Sequence, residues 1–271
     1  MKILITGCAG FIGFHLCMKF LQQKFEIIGL DNLDKYYDYD LKKNRMKILR
    51  NQKHFKFYKI DINSKKKMEN MFRNEKIKNV IHLAAQAGVR DSINKPELFI
   101  DSNISGFSNI IDLSAKNKVN KFIYASSSSV YGLNESKPSS ESENCDKPAS
   151  LYGATKKSNE LIAHTYSHIF KLNTIGLRFF TVYGPWGRPD MALFKFTKAI
   201  FTGRTIEVYN YGRMKRDFTF IDDIVYGTRS SIYKNYKYEV FNLGNSKSEN
   251  LMDMISYLEE AIGKKAIMDF L

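Results

Sequence analysis

Lys2-Ile3-Leu4-Ile5-Thr6-Gly7-Cys8-Ala9-Gly10-Phe11-Ile12-Gly13 opens the chain, and its reading decides the fold. An apolar run that ends in glycines fits a buried parallel strand over 2–6. Apolar residues then recur at helical spacing from Phe11 to Gln23. Strand, glycines and helix in that order are what a dinucleotide pyrophosphate requires. Glycines let the backbone turn sharply and approach a ligand closely. The helix start aims free N–H groups and the positive end of its dipole at phosphates. Gly7, Gly10 and Gly13, with Phe11 and Ile12 at the helix start, are therefore candidate cofactor ligands. The spacing is G-x-x-G-x-x-G rather than the commoner G-x-G-x-x-G, and taken alone it equally describes a tight loop.

The alternation continues outward from that stretch. Apolar runs at 26–31, 56–61, 80–85, 121–126 and 174–179 read as further strands. A long helix is expected at 98–117, and another carries Tyr152. Strands alternating with helices predict an α/β fold, a Rossmann-type doubly wound parallel sheet. Pro, Ser and Glu between 136 and 150 mark a surface loop. After 182 the texture changes, beginning with the turn-rich Gly184-Pro185-Trp186-Gly187-Arg188-Pro189. The expected organisation is an NAD-binding domain over 1–182 and a smaller substrate lobe over 183–271, interleaved with the sheet.

Two clusters carry the chemistry. Asp31 closes the second strand, where an acid accepts from ribose hydroxyls and repels a 2′-phosphate, which favours NAD over NADP. Asp61-Ile62 after the third strand either approaches the adenine or, in the case of Asp61, caps the helix beyond Ser64. Tyr152 and Lys156, at i and i+4, share one helix face. A free phenol titrates near pH ~10, and a neighbouring ammonium with a cationic nicotinamide would lower that value. The phenol can then act as a base toward a hydroxyl whose carbon loses hydride. Ser126-Ser127-Ser128-Ser129 ends the fifth strand, the edge at which open α/β sheets bind ligands. A serine there hydrogen-bonds the reacting oxygen, or the run is a polar turn.

The bulk properties narrow the alternatives. The 271 residues carry a net charge of +14, with 42 Lys and Arg against 28 Asp and Glu. A polyanionic partner is one reading. Solvated helix faces such as Lys65-Lys66-Lys67 and Lys42-Lys43-Asn44-Arg45 are the better one. No basic and aromatic strand pattern for base stacking occurs, so no nucleic-acid partner is expected. A modest positive field still draws in a phosphorylated substrate. Cys8, Cys17 and Cys145 form neither a disulfide framework nor a metal cluster, which fits a reducing cytosol and no metal. No apolar run is long enough to span a bilayer.

The chain resembles the extended short-chain dehydrogenase/reductase family, in its NAD-dependent nucleotide-sugar epimerase/dehydratase branch, and is most similar there to UDP-glucuronate 4-epimerases. The resemblance rests on Thr6-Gly7 through Gly13, Asp31-Asn32-Leu33, His82 through Arg90, Tyr124 to Gly132, Ser150 to Lys157, Arg178 to Ala192 and Lys215-Arg216-Asp217-Phe218. It implies NAD retained through the cycle, with Ser127, Tyr152 and Lys156 as the catalytic trio. Asn32, Ile62, Leu83, Ala84 and Ala85 join the cofactor contacts. Arg90, Ser127, Ser129, Phe179, Thr181, Arg188 and Arg216 fall in the substrate pocket. In the implied cycle Tyr152 deprotonates the C4 hydroxyl of a UDP-sugar, NAD takes the C4 hydride, and the 4-keto sugar turns over before hydride returns. With glucuronate the intermediate is a β-keto acid, so its carboxylate must be held. Thr181, Ser129 and Arg188 are candidates for that grip, while Arg188 alternatively caps the Gly187–Pro189 turn.

Dehydratase relatives place an Asp-Glu pair where this chain has Ser128-Ser129, which disfavours dehydration. Asp91 stands where relatives usually have an aromatic residue, and Gly153 where they have alanine. The sequence stops at Asp269-Phe270-Leu271, in what reads as a strand, whereas relatives continue. That end is expected to weaken substrate binding and to uncover apolar surface around Ile255, Leu258 and Ile262. The leading expectation is UDP-glucuronate to UDP-galacturonate epimerisation by a cytoplasmic homodimer, formed through the Tyr152 helix and the 98–117 helix. The alternatives are an impaired NAD-binding remnant or an epimerase of another UDP-sugar such as UDP-glucose.

Overall fold

The computed structural model describes residues 1–134 and 138–271. Residues 136 and 137 of the expected surface loop lie outside the described residues. The elements, in chain order, are β1 Lys2–Thr6, α1 Phe11–Gln22, β2 Glu26–Asp31, α2 Tyr39–Arg50, β3 Phe55–Lys59, α3 Lys65–Glu75, β4 Asn79–His82, α4 Asp91–Asn94, α5 Pro96–Ile100, α6 Phe107–Lys116, β5 Lys121–Ser127, α7 Leu151–Phe170, β6 Thr174–Phe179, β7 Thr181–Tyr183, α8 Ala192–Thr202, β8 Thr205–Val208, β9 Lys215–Phe220, α9 Ile221–Ile232, β10 Tyr238–Leu243, β11 Ser248–Asn250, α10 Leu251–Ile262 and β12 Ile267–Phe270.

The main sheet is parallel throughout, in the order β10-β6-β5-β4-β1-β2-β3. Its strands are apolar on both faces because helices cover both. Ile3 and Ile5 of β1 pack with Phe14, Phe20 and Ile224 on one side. Leu4 faces the other way, into a core with Val80, Phe107 and Phe122. Alternate residues of one strand thus serve two cores. The doubly wound expectation holds, with one strand more than the sequence suggested. The seventh, β10, comes from beyond residue 182 and pairs with β6 from Tyr238↔Thr174 to Leu243↔Phe179.

The helix expected at 98–117 is present over 96–116, with a π-helical turn at Asp101–Gly106 between its α-helical parts α5 and α6. Such turns recur at functional positions because they re-aim one residue. Here that residue is Asn103, which is 1 % exposed. Its amide accepts from Gln86 N at 2.8 Å and donates to Gln86 O at 3.0 Å and to Thr155 Oγ1 at 3.1 Å. The loop after β4 is thereby tied to α7.

The smaller lobe holds a three-stranded sheet, β11-β9-β7, and the parallel pair β8 and β12. Its core joins Phe196, Ile200, Ile206, Val208, Leu251, Met254 and Ile255. Leu258 and Ile262 pack against that core, and Ile255 is 1 % exposed. The expectation that these residues lie uncovered fails for Ile255 and holds only in part for Leu258 and Ile262, which are half-buried: α10 lays its apolar face toward α8. No helix among the described residues is long and apolar enough to cross a membrane.

A buried ion pair joins the layers. Arg178 of β6 donates from Nε and Nη2 to the two carboxylate oxygens of Glu160 on α7, at 2.9 and 2.8 Å. Both side chains are almost fully buried. Ser126 Oγ donates to the same carboxylate at 2.6 Å. Removing one member of a buried pair strands the other charge, which typically costs about 3–5 kcal/mol. Glu160→Ala is thus expected to lower unfolding free energy by about that amount, as measured by urea denaturation. A loss below ~1 kcal/mol, the range of an exposed pair, would contradict the account.

Candidate active site

The site is built at the carboxyl edge of the parallel sheet. Gly7 turns the chain after β1 in a left-handed conformation, φ 71°. A Cβ there would lie 2.8 Å from Ala84 N, so β1 and the loop after β4 can meet only at glycine. Gly10 N donates to Gly7 O at 2.9 Å. A Cβ on Gly13 would reach within 2.1 Å of the same carbonyl. The helix α1 therefore rests directly on the loop. No side chain caps its start at Gly10, so the first N–H groups face outward. This cradle fits a pyrophosphate by geometry as well as by motif.

Asp31 sits at the end of β2 and is buried. Its carboxylate accepts from Ala9 N at 3.0 Å and Leu33 N at 2.8 Å. Burial pushes its pKa up, against the pull of Lys42 and those backbone donors. Asp61 does not cap the following helix. One of its oxygens accepts from Asn63 N at 2.8 Å, and the other from Asn32 Nδ2 at 2.8 Å. It is the one candidate that does not line the main cleft. Gly7, Gly10, Phe11, Ile12, Gly13, Asp31, Asn32, Ile62, Leu83, Ala84 and Ala85 line one end of that 1840 Å³ cleft. These are the residues that can hold the dinucleotide.

The same cleft is lined by Arg90, Ser127, Ser129, Tyr152, Lys156, Phe179, Thr181, Arg188 and Arg216. Ser150 caps α7, its side chain accepting from Gly153 N at 3.1 Å. The missing Cβ of Gly153 lets α7 lie against Ser129 O, which a methyl would approach at 2.5 Å. From there Tyr152, Lys156 and Glu160 fall on one helix face. Each meets a consecutive residue of β5. The Ser127 side chain lies near the Tyr152 phenol and pulls its pKa down. Lys156 Nζ donates to Ala125 O at 3.0 Å. Glu160 accepts from Ser126. Sequence reasoning missed Glu160, although the four-residue spacing from Tyr152 to Lys156 simply continues to it.

The electrostatics differ in part from expectation. Burial pushes the Tyr152 phenol above its ordinary value, and only Ser127 and Arg188 pull it down. The Lys156 ammonium lies 6.0 Å from the tyrosine ring centroid and donates a hydrogen bond to Ala125 O. Burial lowers its own pKa to about 8. The chain's charges therefore do not bring the phenol toward neutrality unaided. His82, behind Lys156, accepts or donates at Thr6 Oγ1 at 2.8 Å and is pushed down to about 3 by burial and that ammonium, so it stays uncharged.

Arg188 does not cap its own turn. It pairs with Asp190 and donates to Ala87 O at 3.1 Å. Arg90 lies 3.9 Å from the centre of the Tyr209 ring, across the cleft. Arg216 is exposed at the cleft rim and donates to Lys215 O at 3.0 Å. Lys42 and Arg45, read from sequence as a solvated helix face, are 7 % and 0 % exposed. Arg45 Nη1 donates to Ala9 O at 2.9 Å and to Tyr37 Oη at 2.7 Å, and Nη2 to Trp186 O. This residue fastens the 184–191 loop to the glycine loop. Its neighbours hid it, because Lys43, Lys47 and Arg50 of the same helix are exposed while only Lys42 and Arg45 turn inward.

Comparison with known proteins accords with this geometry. Residues 3–244 match the family model of the NAD-dependent epimerase/dehydratase family. The chain is 49 % identical to the protein CapI of Staphylococcus aureus, covering 100 % of this chain and 86 % of that one. It is 40 % identical to a probable UDP-glucuronate 4-epimerase of Rhizobium meliloti, over 100 % of this chain and 85 % of the relative. Its fold superposes with a TM-score of 0.94 on a UDP-glucuronic acid 4-epimerase from Bacillus cereus, solved with UDP-glucuronic acid and NAD, at 36 % identity. That match covers 100 % of this chain and 86 % of the other. A strand-glycine-helix cradle, an acid at the end of β2 and a tyrosine-lysine helix on one cleft thus have a common explanation: the chain belongs to the NAD-dependent epimerase/dehydratase family.

Proposed function

We propose that this protein is an NAD-dependent UDP-sugar 4-epimerase whose substrate pair is UDP-glucuronate and UDP-galacturonate. The observation that carries the reading is one cleft lined by the glycine cradle, the Ser127–Tyr152–Lys156 cluster and the Arg188 guanidinium. The relatives' substrates and the motif resemblance support the same choice. Bound NAD supplies a reversible hydride acceptor for C4 and a positive charge beside the phenol.

The chain's residues do the rest. Tyr152 Oη takes the proton of the C4 hydroxyl and gives it back. Ser127 holds that oxygen in line, its side chain already within reach of the phenol. Lys156, fixed on Ala125 O, supplies a cation on the far side of the tyrosine. Asp31 receives the adenosine ribose. Arg188, with Ser129 and Thr181, holds the sugar carboxylate as a hydrogen-bonded anion, which opposes its loss as carbon dioxide.

Tyr152→Phe should cut epimerisation by about two to four orders of magnitude, the usual value of a positioned acid/base, while NAD stays bound. Product assays and cofactor fluorescence check both halves. Residual turnover near the wild-type rate would sink the acid/base role.

The pH dependence follows from Lys156. An amine with its pKa at about 8 carries its charge below that pH and loses it above. Turnover is expected to decline as pH rises through about 8. A rate profile that stays flat well into the alkaline range would show that the ammonium is not needed.

UDP-glucuronate should outcompete UDP-glucose, and Arg188→Met should erase that preference. A hydrogen bond to a charged group contributes about 1.5–3 kcal/mol, so roughly a tenfold to hundredfold loss is expected for the acid alone. Equal efficiency of wild-type protein on both sugars would refute the substrate assignment.

A further inference from the structure

Arg188 is immobilised before any sugar arrives. Its Nε donates to one oxygen of Asp190 at 3.1 Å, and Nη2 donates to the other. Nη2 also donates to Ala87 O at 3.1 Å. The rings of Tyr36 and Tyr37 lie 5.8 and 6.0 Å from the guanidinium carbon. Each ring is itself tethered. Tyr36 Oη donates to Asp91. Tyr37 Oη accepts from the buried Arg45. Among the described residues Nη1 of Arg188 has no hydrogen-bond partner, and unlike Nε of Arg45 it is not sealed from solvent.

We propose that Asp190 is the positioning residue for recognition of the sugar carboxylate. It occupies the Nε/Nη2 edge of the guanidinium, so Arg188 can offer the substrate only Nη1, at one angle. This rests on the reading of Arg188 given above. The pair is electrically neutral as a unit, and Asp91 lies close by. A carboxylate is then selected by the direction of an N–H group and not by net attraction. An arginine side chain loses its rotamer freedom on folding here instead of at binding, which is the advantage of a preorganised site. The aromatic walls limit the remaining freedom, since a planar guanidinium stacks against rings in few orientations.

The NAD-loaded protein tests this with Asp190→Asn and Arg188→Met. Calorimetry gives Kd for UDP-glucuronate and for UDP-glucose, and turnover of UDP-glucuronate gives kcat. In Asp190→Asn the arginine keeps its charge but loses its clamp. The expected result is a kcat lower by about tenfold to a hundredfold, as for a small misplacement of substrate, with Kd for UDP-glucuronate within about threefold of wild type and UDP-glucose binding unchanged. A kcat within about twofold of wild type overturns the proposal. So does an equal loss of affinity for both sugars, which marks a merely structural role. Arg188→Met separates the two levels. Selective loss of UDP-glucuronate binding in that variant, with wild-type behaviour in Asp190→Asn, sinks the positioning role alone. Unchanged selectivity in Arg188→Met removes the carboxylate reading itself, and this inference with it.

Discussion

The contact between one face of α7 and the last residues of β5 is what the rest of the structure depends on. Three consecutive residues of the strand, Ala125, Ser126 and Ser127, meet three helix residues one turn apart, Lys156, Glu160 and Tyr152. Glu160 fixes the spacing, because its carboxylate also receives both arms of Arg178 from the neighbouring strand. Arg178 in turn donates to Tyr131 Oη at 3.0 Å, and Tyr131 to Asn242 of β10 at 2.7 Å. A chain of hydrogen bonds thus runs from the seventh strand to Ser126, the residue before Ser127. Buried networks of this kind are costly when incomplete, so they define one arrangement sharply when complete.

A second set of contacts sets the distance between the two ends of the cleft. Arg45 reaches from α2 to both the glycine loop and the 184–191 loop. His15 of α1 meets Pro185 O at 2.9 Å, and Phe14 packs on Trp186 with ring centroids 5.6 Å apart. The loop that carries Arg188 is therefore mounted on the dinucleotide cradle, although it begins the smaller lobe. In the proposed cycle this mounting would help keep the reacting carbon within a short distance of its hydride acceptor on either sugar face.

Burial and charge act against each other at the phenol. Burial raises Tyr152 and lowers Lys156, so each group on its own is held nearer its uncharged form. In the proposed cycle the remaining positive charge would come from bound NAD, which would couple proton removal by Tyr152 to the presence of the hydride acceptor. Ser127 and Arg188 contribute the remaining pull.

The sequence by itself determined most of the sheet, the glycine cradle and the pairing of Tyr152 with Lys156 on one helix face, because these are local. A strand ending in glycines, an acid at a strand end and two residues one helical turn apart are read from neighbours in the chain. Six of the seven strands were legible for that reason. β10 was not, since Tyr238–Leu243 carries no more signal than its surroundings and gains its place only by pairing with β6. The π-helical turn at Asp101–Gly106 was equally silent, as its cause is the distant demand of Gln86 and Thr155 on Asn103. Tertiary structure alone decided the fate of the charges. Arg45 looked like one more solvated base, yet it is sealed between two loops. Arg188 read as a carboxylate grip or a turn cap, and its hold by Asp190 and two tyrosine rings was not visible. The apolar face of α10 looked exposed, yet it is turned toward α8 and covered in part. Periodicity shows that a side chain lies on a helix face. Only the packing of distant elements decides which medium that face meets, and therefore whether a charge is solvated, paired or put to use.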